Sequence, residues 1–143
     1  MGTPASIRVF QSNGDCLVHI YAQNSGYPED VGLDVANILV DMVRLDGCID
    51  YQKANGAEDL AAILITKLKP KFSMWGGIYL VPYSEKKTQW GWEYRYDIEV
   101  DEQQKVWVRA KNGRRSLFSG DLSAFVAFCI KKKEAYKKQL AKS

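Results

Sequence analysis

The chain has 143 residues, 46% apolar and 26% charged, with a formal net charge of +3. Such a length suits one domain that buries roughly two-thirds of its unfolded surface without disulfides, so residues 1–143 read as a single unit. No apolar run reaches the ~18–20 residues of a membrane helix, and so small a basic excess does not by itself diagnose nucleic-acid binding.

Met1-Gly2-Thr3-Pro4 has neither a basic segment nor an apolar core, so it does not read as a secretory signal, and Ser6 completes too short a pattern to carry lipidation. Cys16, Cys48 and Cys129 are scattered and form no CxxC pair, which predicts reduced thiols and a cytoplasmic location.

Ile7–Gln11 and Cys16–Ala22 flank Asn13-Gly14 and predict a two-residue hairpin in which Ile7 faces Ile20, Val9 faces Val18, and Cys16 shares their side. The other side carries Arg8, Phe10, Leu17, His19 and Tyr21, a mixed face that predicts partial cover by another element or a partner. Val31, Val35, Ile38 and Met42 recur at helical spacing and predict an amphipathic helix over Asp30–Arg44, ended by Gly47. A second helix follows Asn55-Gly56, carries Leu60, Ile63, Leu64 and Leu68, and stops at Pro70. Ile78–Tyr83 reads as a short strand, with Pro82 placing its end at an edge or bulge.

Trp90–Val100 alternates strictly, large apolar residues at even positions and Glu93, Arg95, Asp97 and Glu99 at odd ones, which marks a strand with one buried face. Lys105–Lys111 alternates in the same way, and Asn112-Gly113 turns it into Arg114–Phe118. Asp121–Leu140 reads as a lysine-rich helix with Leu122, Phe125, Val126, Cys129 and Ile130 along one side. The expected fold is α+β, an antiparallel sheet of about five strands in the order ββααβββ(β)α with helices packed on one face.

His19, the single histidine, rules out a His-pair metal site, and on a strand beside Leu17 and Tyr21 a structural role outweighs catalysis. Its expected cross-strand neighbour, Arg8, would lower its pKa. Asp97 and Glu99 share a strand face at roughly 7 Å, a spacing that suits a carboxylate pair in glycoside hydrolysis. With Arg95 interleaved, a solvated face explains them better. Glu29/Asp30 and Glu58/Asp59 complement helix N-termini. Gly76-Gly77 and Asn55-Gly56 lack the spaced glycines and lysine of a phosphate loop. No serine or cysteine carries a local base or elbow motif, no cofactor is implied, and no catalytic or metal-binding residue is assigned.

Arg109, Lys111, Arg114 and Arg115 gather around one turn, while Lys131, Lys132, Lys133, Lys137, Lys138 and Lys142 crowd the last helix. Trp107 and Phe118 add stacking surface beside the turn, a combination used for single-stranded nucleic acid or nucleotides. Solubility, the helix dipole and a subunit contact explain the same residues. Aromatic residues make up 12% of the chain, and some are expected at a rim or interface.

Gly26-Tyr27-Pro28 before an amphipathic helix, Asn55-Gly56 with Asp59-Leu60-Ala61-Ala62, Gly76-Gly77-Ile78-Tyr79-Leu80 and the Tyr94-Arg95-Tyr96 strand together resemble a group of small phage and bacterial proteins with no assigned activity. The resemblance spans about residues 5–100. It departs at Ser25, where that group has an acidic residue, and in the long basic terminal helix. It implies a small cytosolic accessory protein of viral type and no catalytic residue.

The leading expectation is a non-enzymatic interaction module, a homo-oligomer, whose partner is a protein or a small anionic ligand; the alternative is weak nucleic-acid binding through the basic turn and terminal helix. A small hydrolase or lyase using His19 or Asp97/Glu99 has the least support. The candidate binding residues are Tyr27, Trp107, Arg109, Lys111, Arg114, Arg115, Lys131 and Lys132.

Overall fold

The computed structural model describes residues 3–45, 53–71, 77–83 and 94–142. The expectations for Gly47, Cys48, Trp75, Gly76, Trp90 and Trp92 lie outside the described residues.

β1 (Ala5–Phe10) and β2 (Cys16–Ala22) form the expected hairpin, with Ile7 opposite Ile20 and Val9 opposite Val18. The turn is longer than two residues. Gln11 N–H donates to the Asp15 carbonyl at 2.9 Å, and of the two turn residues only Gly14 takes a positive φ. The register shifts after Val9 and sets Cys16 opposite Phe10, on the outer face rather than beside Ile7 and Val9.

A five-residue π-helical turn (Pro28–Gly32) precedes α1 (Leu33–Leu45), so the helix expected from Asp30 begins in a wider coil. Gly32 explains the close approach, because a Cβ there would lie 3.3 Å from the Tyr96 ring. α2 (Ala57–Lys71) buries Leu60, Leu64 and Leu68 and ends one residue beyond Pro70. β3 (Ile78–Leu80) is shorter than the expected strand. β4 (Tyr94–Val100), β5 (Val106–Asn112) and β6 (Arg115–Asp121) form a meander that leads into α3 (Leu122–Ala141). The Asp121 carboxylate caps α3 by accepting from Ala124 N–H at 2.9 Å, relieving one unpaired donor of the first turn.

The fold is α+β, but the sheet has six strands, in the order β3-β2-β1-β4-β5-β6, and its central pair, β1 with β4, is parallel. The purely antiparallel expectation is thereby corrected. β3 returns to the outer edge of β2, so the inner edge of β1 is left for a strand that arrives later in the chain.

Alternation then sorts the sheet. Ile7, Val9, Ile20, Tyr96, Ile98, Val106 and Val108 point inward and are buried with Val35, Leu39, Leu60, Leu64, Phe125 and Cys129 of the helices. Tyr96 donates its hydroxyl to the Gly26 carbonyl at 2.7 Å, and its ring meets Phe125 edge-on. Burial pushes the Cys129 thiol up to about 12, which marks it as a core residue rather than a nucleophile.

Candidate functional site: an arginine basin on the outer face

The face of the sheet turned away from the helices is ordered in rows by the strand registers. One row runs His19–Arg8–Asp97–Arg109–Ser119 across β2, β1, β4, β5 and β6. The next runs Tyr79–Tyr21–Ser6–Arg95–Lys111–Ser116, and a third runs Cys16–Phe10–Glu99–Trp107–Asp121. Polar side chains on odd or even positions of five separate strands therefore converge on one surface.

At its centre Arg8 and Asp97 form a buried two-pronged pair: Nε donates to Oδ1 and Nη2 to Oδ2, each at 2.7 Å. Such fork-to-fork geometry is the strong form of an ion pair. The Arg8 guanidinium also lies over the Phe10 ring at 5.0 Å and the Tyr83 ring at 5.5 Å. Burial works against the Arg8 charge, yet the Asp97 carboxylate outweighs it and the pKa ends raised. Asp97 is thus not the solvated partner of Arg95 that its strand pattern suggests. The parallel neighbour β1 brings Arg8 to it.

His19 sits beside this pair at 3% exposure, and neither ring nitrogen makes a side-chain hydrogen bond among the described residues. Burial lowers its pKa and Arg8 lowers it further, with Asp97 and the Pro82 backbone opposing. Ser6, at 1% exposure, also leaves its hydroxyl unpaired. Ser6, His19 and Asp97 stand on three neighbouring strands without forming a catalytic relay, because Asp97 commits both oxygens to Arg8 and Ser6 is closed to solvent.

Against the pair lies an open basin of about 360 Å³, lined by Arg8, Phe10, Tyr83, Arg95, Asp97, Glu99 and Arg109 together with Gly14. Three guanidinium groups meet two carboxylates there, and Arg8 already answers Asp97. Arg109 is exposed and its side chain makes no hydrogen bond or ion pair among the described residues, nor does the side chain of the half-buried Glu99. Burial and the neighbouring Arg8 lower the pKa of Arg95. Beyond Arg109 the surface dips again into a hollow of about 200 Å³ bounded by Trp107 and Ser119. Among the described residues no cluster of His, Cys, Asp or Glu is placed to hold a metal ion.

The structure divides the candidate binding residues. Trp107, Arg109 and Lys111 share the outer face, but Trp107 is already engaged: Nε1 donates to Asp101 Oδ2 at 2.9 Å, and Lys105 lies over its ring at 4.6 Å. The Trp107 bond holds Asp101 below the usual carboxylate range. Arg114 and Arg115 stand at the β5–β6 turn. Lys131 and Lys132 are across the sheet on α3, Lys132 over the Phe128 ring at 5.7 Å. Tyr27 lies in the loop ahead of the π-helical turn, accepting from the Thr3 hydroxyl at 2.9 Å and packing on the Tyr94 ring. Arg8, Phe10, Tyr83, Arg95 and Glu99 belong to the site and were not singled out for it. For all but Tyr83, which follows β3, the signal is odd–even alternation in β1 and β4, and it becomes legible only when those strands are known to be neighbours.

Fold and site define a mixed-sheet α+β protein with an arginine-lined basin on the sheet face turned away from the described helices. No protein-family model matches the chain, and no curated protein or solved structure matches it either. Among the described residues no helix is long and apolar enough to cross a membrane.

Proposed function

We propose that this protein is a non-enzymatic binding module whose outer-face basin takes a small anionic ligand, one with a planar portion to lie against the aromatic wall. The observation that carries this is Arg109, exposed and unpaired among the described residues, beside a rigid Arg8–Asp97 pair and next to Arg95. Arg8 is pre-oriented by its carboxylate and two rings, so little entropy is lost when it faces a ligand. A free guanidinium then supplies the forked donors that recognise phosphate or carboxylate. Phe10 and Tyr83 give the stacking surface, and Glu99 offers an acceptor for a hydroxyl or amino group of the ligand. The setting this reading adopts is a cytosolic accessory protein of viral type, as the sequence resemblance implies, and one that self-associates, as the aromatic content suggests.

Isothermal titration with inorganic phosphate, a nucleoside monophosphate and a nucleoside diphosphate tests the proposal. Loss of one charge-assisted contact is worth ~1.5–3 kcal/mol, so Arg109→Gln should weaken the best ligand by about 10–100-fold. Absence of heat for every anion, or an unchanged affinity in Arg109→Gln, rejects the basin as the site. Retention of a host protein in place of a small anion would shift the reading to an acidic protein partner on the same face.

A further inference from the structure

We propose that the distal half of α3 and the β5–β6 turn form one docking end for the phosphate backbone of a nucleic acid. This surface is separate from the outer-face basin and does not rest on it.

α3 is packed only along its first half. Leu122, Phe125 and Cys129 are buried, whereas every residue from Ile130 to Lys142 is exposed. At ~1.5 Å per residue about 18 Å of helix extends past the last core contact. That stretch carries Lys131, Lys132, Lys133, Lys137, Lys138 and Lys142 against a single acid, Glu134. Its net +5 exceeds the +3 of the whole chain, so the remaining residues sum to −2. The positive charge is concentrated, not spread.

The helix dipole accounts for a cation or two in a last turn, since its effect fades within that turn. Lysines over three turns go beyond it. Lys133 with Lys137 and Lys138 with Lys142 are like charges four residues apart, an arrangement that destabilises an isolated helix. Glu134 stands four residues before Lys138 but forms no ion pair with it. A polyanion laid along the helix relieves this repulsion.

The sheet adds a second set of cations at the same end. α3 turns back from Asp121 over the sheet, and Phe128 stacks on Phe118 at 5.2 Å, which fixes the helix level with that point of β6. From there Arg115 lies three residues back along β6, ~10 Å, and Lys131 and Lys132 lie three and four residues on along α3, ~5–6 Å, in the same direction. Arg114 is one residue further, in the turn, and both arginines are exposed. The strand turn and the free helix thus present their cations together.

The distribution selects the partner. Around the helix the lysines fall on all sides, and Tyr136 and Leu140 make only a narrow apolar stripe. A helix that lies in a membrane surface needs a broad apolar face opposite its charges, which is missing here. Regularly spaced phosphates, by contrast, engage cations on whichever side they project and release counterions in doing so.

Fluorescence anisotropy of the full chain with labelled single-stranded and duplex DNA of about 20 nucleotides tests this, in parallel with phosphatidylserine vesicles and polyglutamate. With about four phosphate contacts the affinity should fall about 100-fold between roughly 50 and 200 mM salt. Lys131→Gln/Lys132→Gln, and separately Arg114→Gln/Arg115→Gln, should each flatten the log–log salt slope by about two. Glutamine keeps the helix propensity of lysine, and circular dichroism should show an unchanged fold. Absence of DNA binding at the lower salt overturns the proposal. So does a salt slope that neither variant alters, or equal or tighter binding to vesicles or polyglutamate.

Discussion

Arg8 and Asp97 are the residues on which the outer face depends, and their energetics are asymmetric. Two charges taken from water repay the loss only through each other, so removing one leaves the other buried and unanswered. Asp97→Ala should lower the unfolding free energy by roughly 3–5 kcal/mol, read from urea denaturation, whereas the apolar double variant Arg8→Met/Asp97→Leu should recover most of it. His19 gives a second test at this scale. Its folded pKa lies below the ordinary 6.5 because burial and Arg8 disfavour the imidazolium, so the unfolded chain binds the proton more readily. Stability from this group is therefore complete above pH ~6.5 and declines as the pH falls towards the lower folded value. The urea midpoint should drop between about pH 7.5 and 5.5, and His19→Leu should flatten that drop. With no side-chain hydrogen bond to lose among the described residues, the same variant should keep most of its stability at neutral pH.

At the level of elements, the loop between β2 and the π-helical turn is fixed by one glycine. A Cβ on Gly26 would fall 2.7 Å from the Pro4 carbonyl oxygen and 2.8 Å from that of Thr3, and the residue also bonds Thr3 through its N–H and Tyr96 through its carbonyl. These backbone oxygens of the Thr3–Pro4 segment leave no room to yield, so Gly26→Ala should cost ~1–3 kcal/mol in thermal or urea unfolding. Gly14→Ala has open space and meets only its φ of +92°. Elements that depend on neighbours in sequence were readable: the pairing of Ile7 with Ile20 and Val9 with Val18 follows from Asn13-Gly14 and alternation, though not the register shift that moves Cys16 outward, and α2 and α3 follow from apolar spacing. The parallel join of β1 to β4 was not. It links residues 89 apart, and no local pattern records which distant strand fills a free edge. The basin went unseen for that reason, although six of its lining residues, Arg8, Phe10, Arg95, Asp97, Glu99 and Arg109, stand in plain alternation.

For the molecule as a whole, one sheet separates two kinds of surface. Helices cover its inner side, and the projecting part of α3 carries the lysines, while the outer side holds arginines and carboxylates in rows. The two proposed ligands, a small anion and a polyanion, therefore meet different sides of the same body and can be assayed independently. The parallel pairing also sets an order of events during synthesis. The hairpin that carries Arg8 can close on itself, but the carboxylate that neutralises it is translated 89 residues later. Until then the nascent chain holds an open strand edge and a solvated guanidinium at its centre. The β1–β2 hairpin waits on the ribosome for its counter-charge, and a ribosome-bound chain stopped before Asp97 lacks the ionic keystone of the finished sheet.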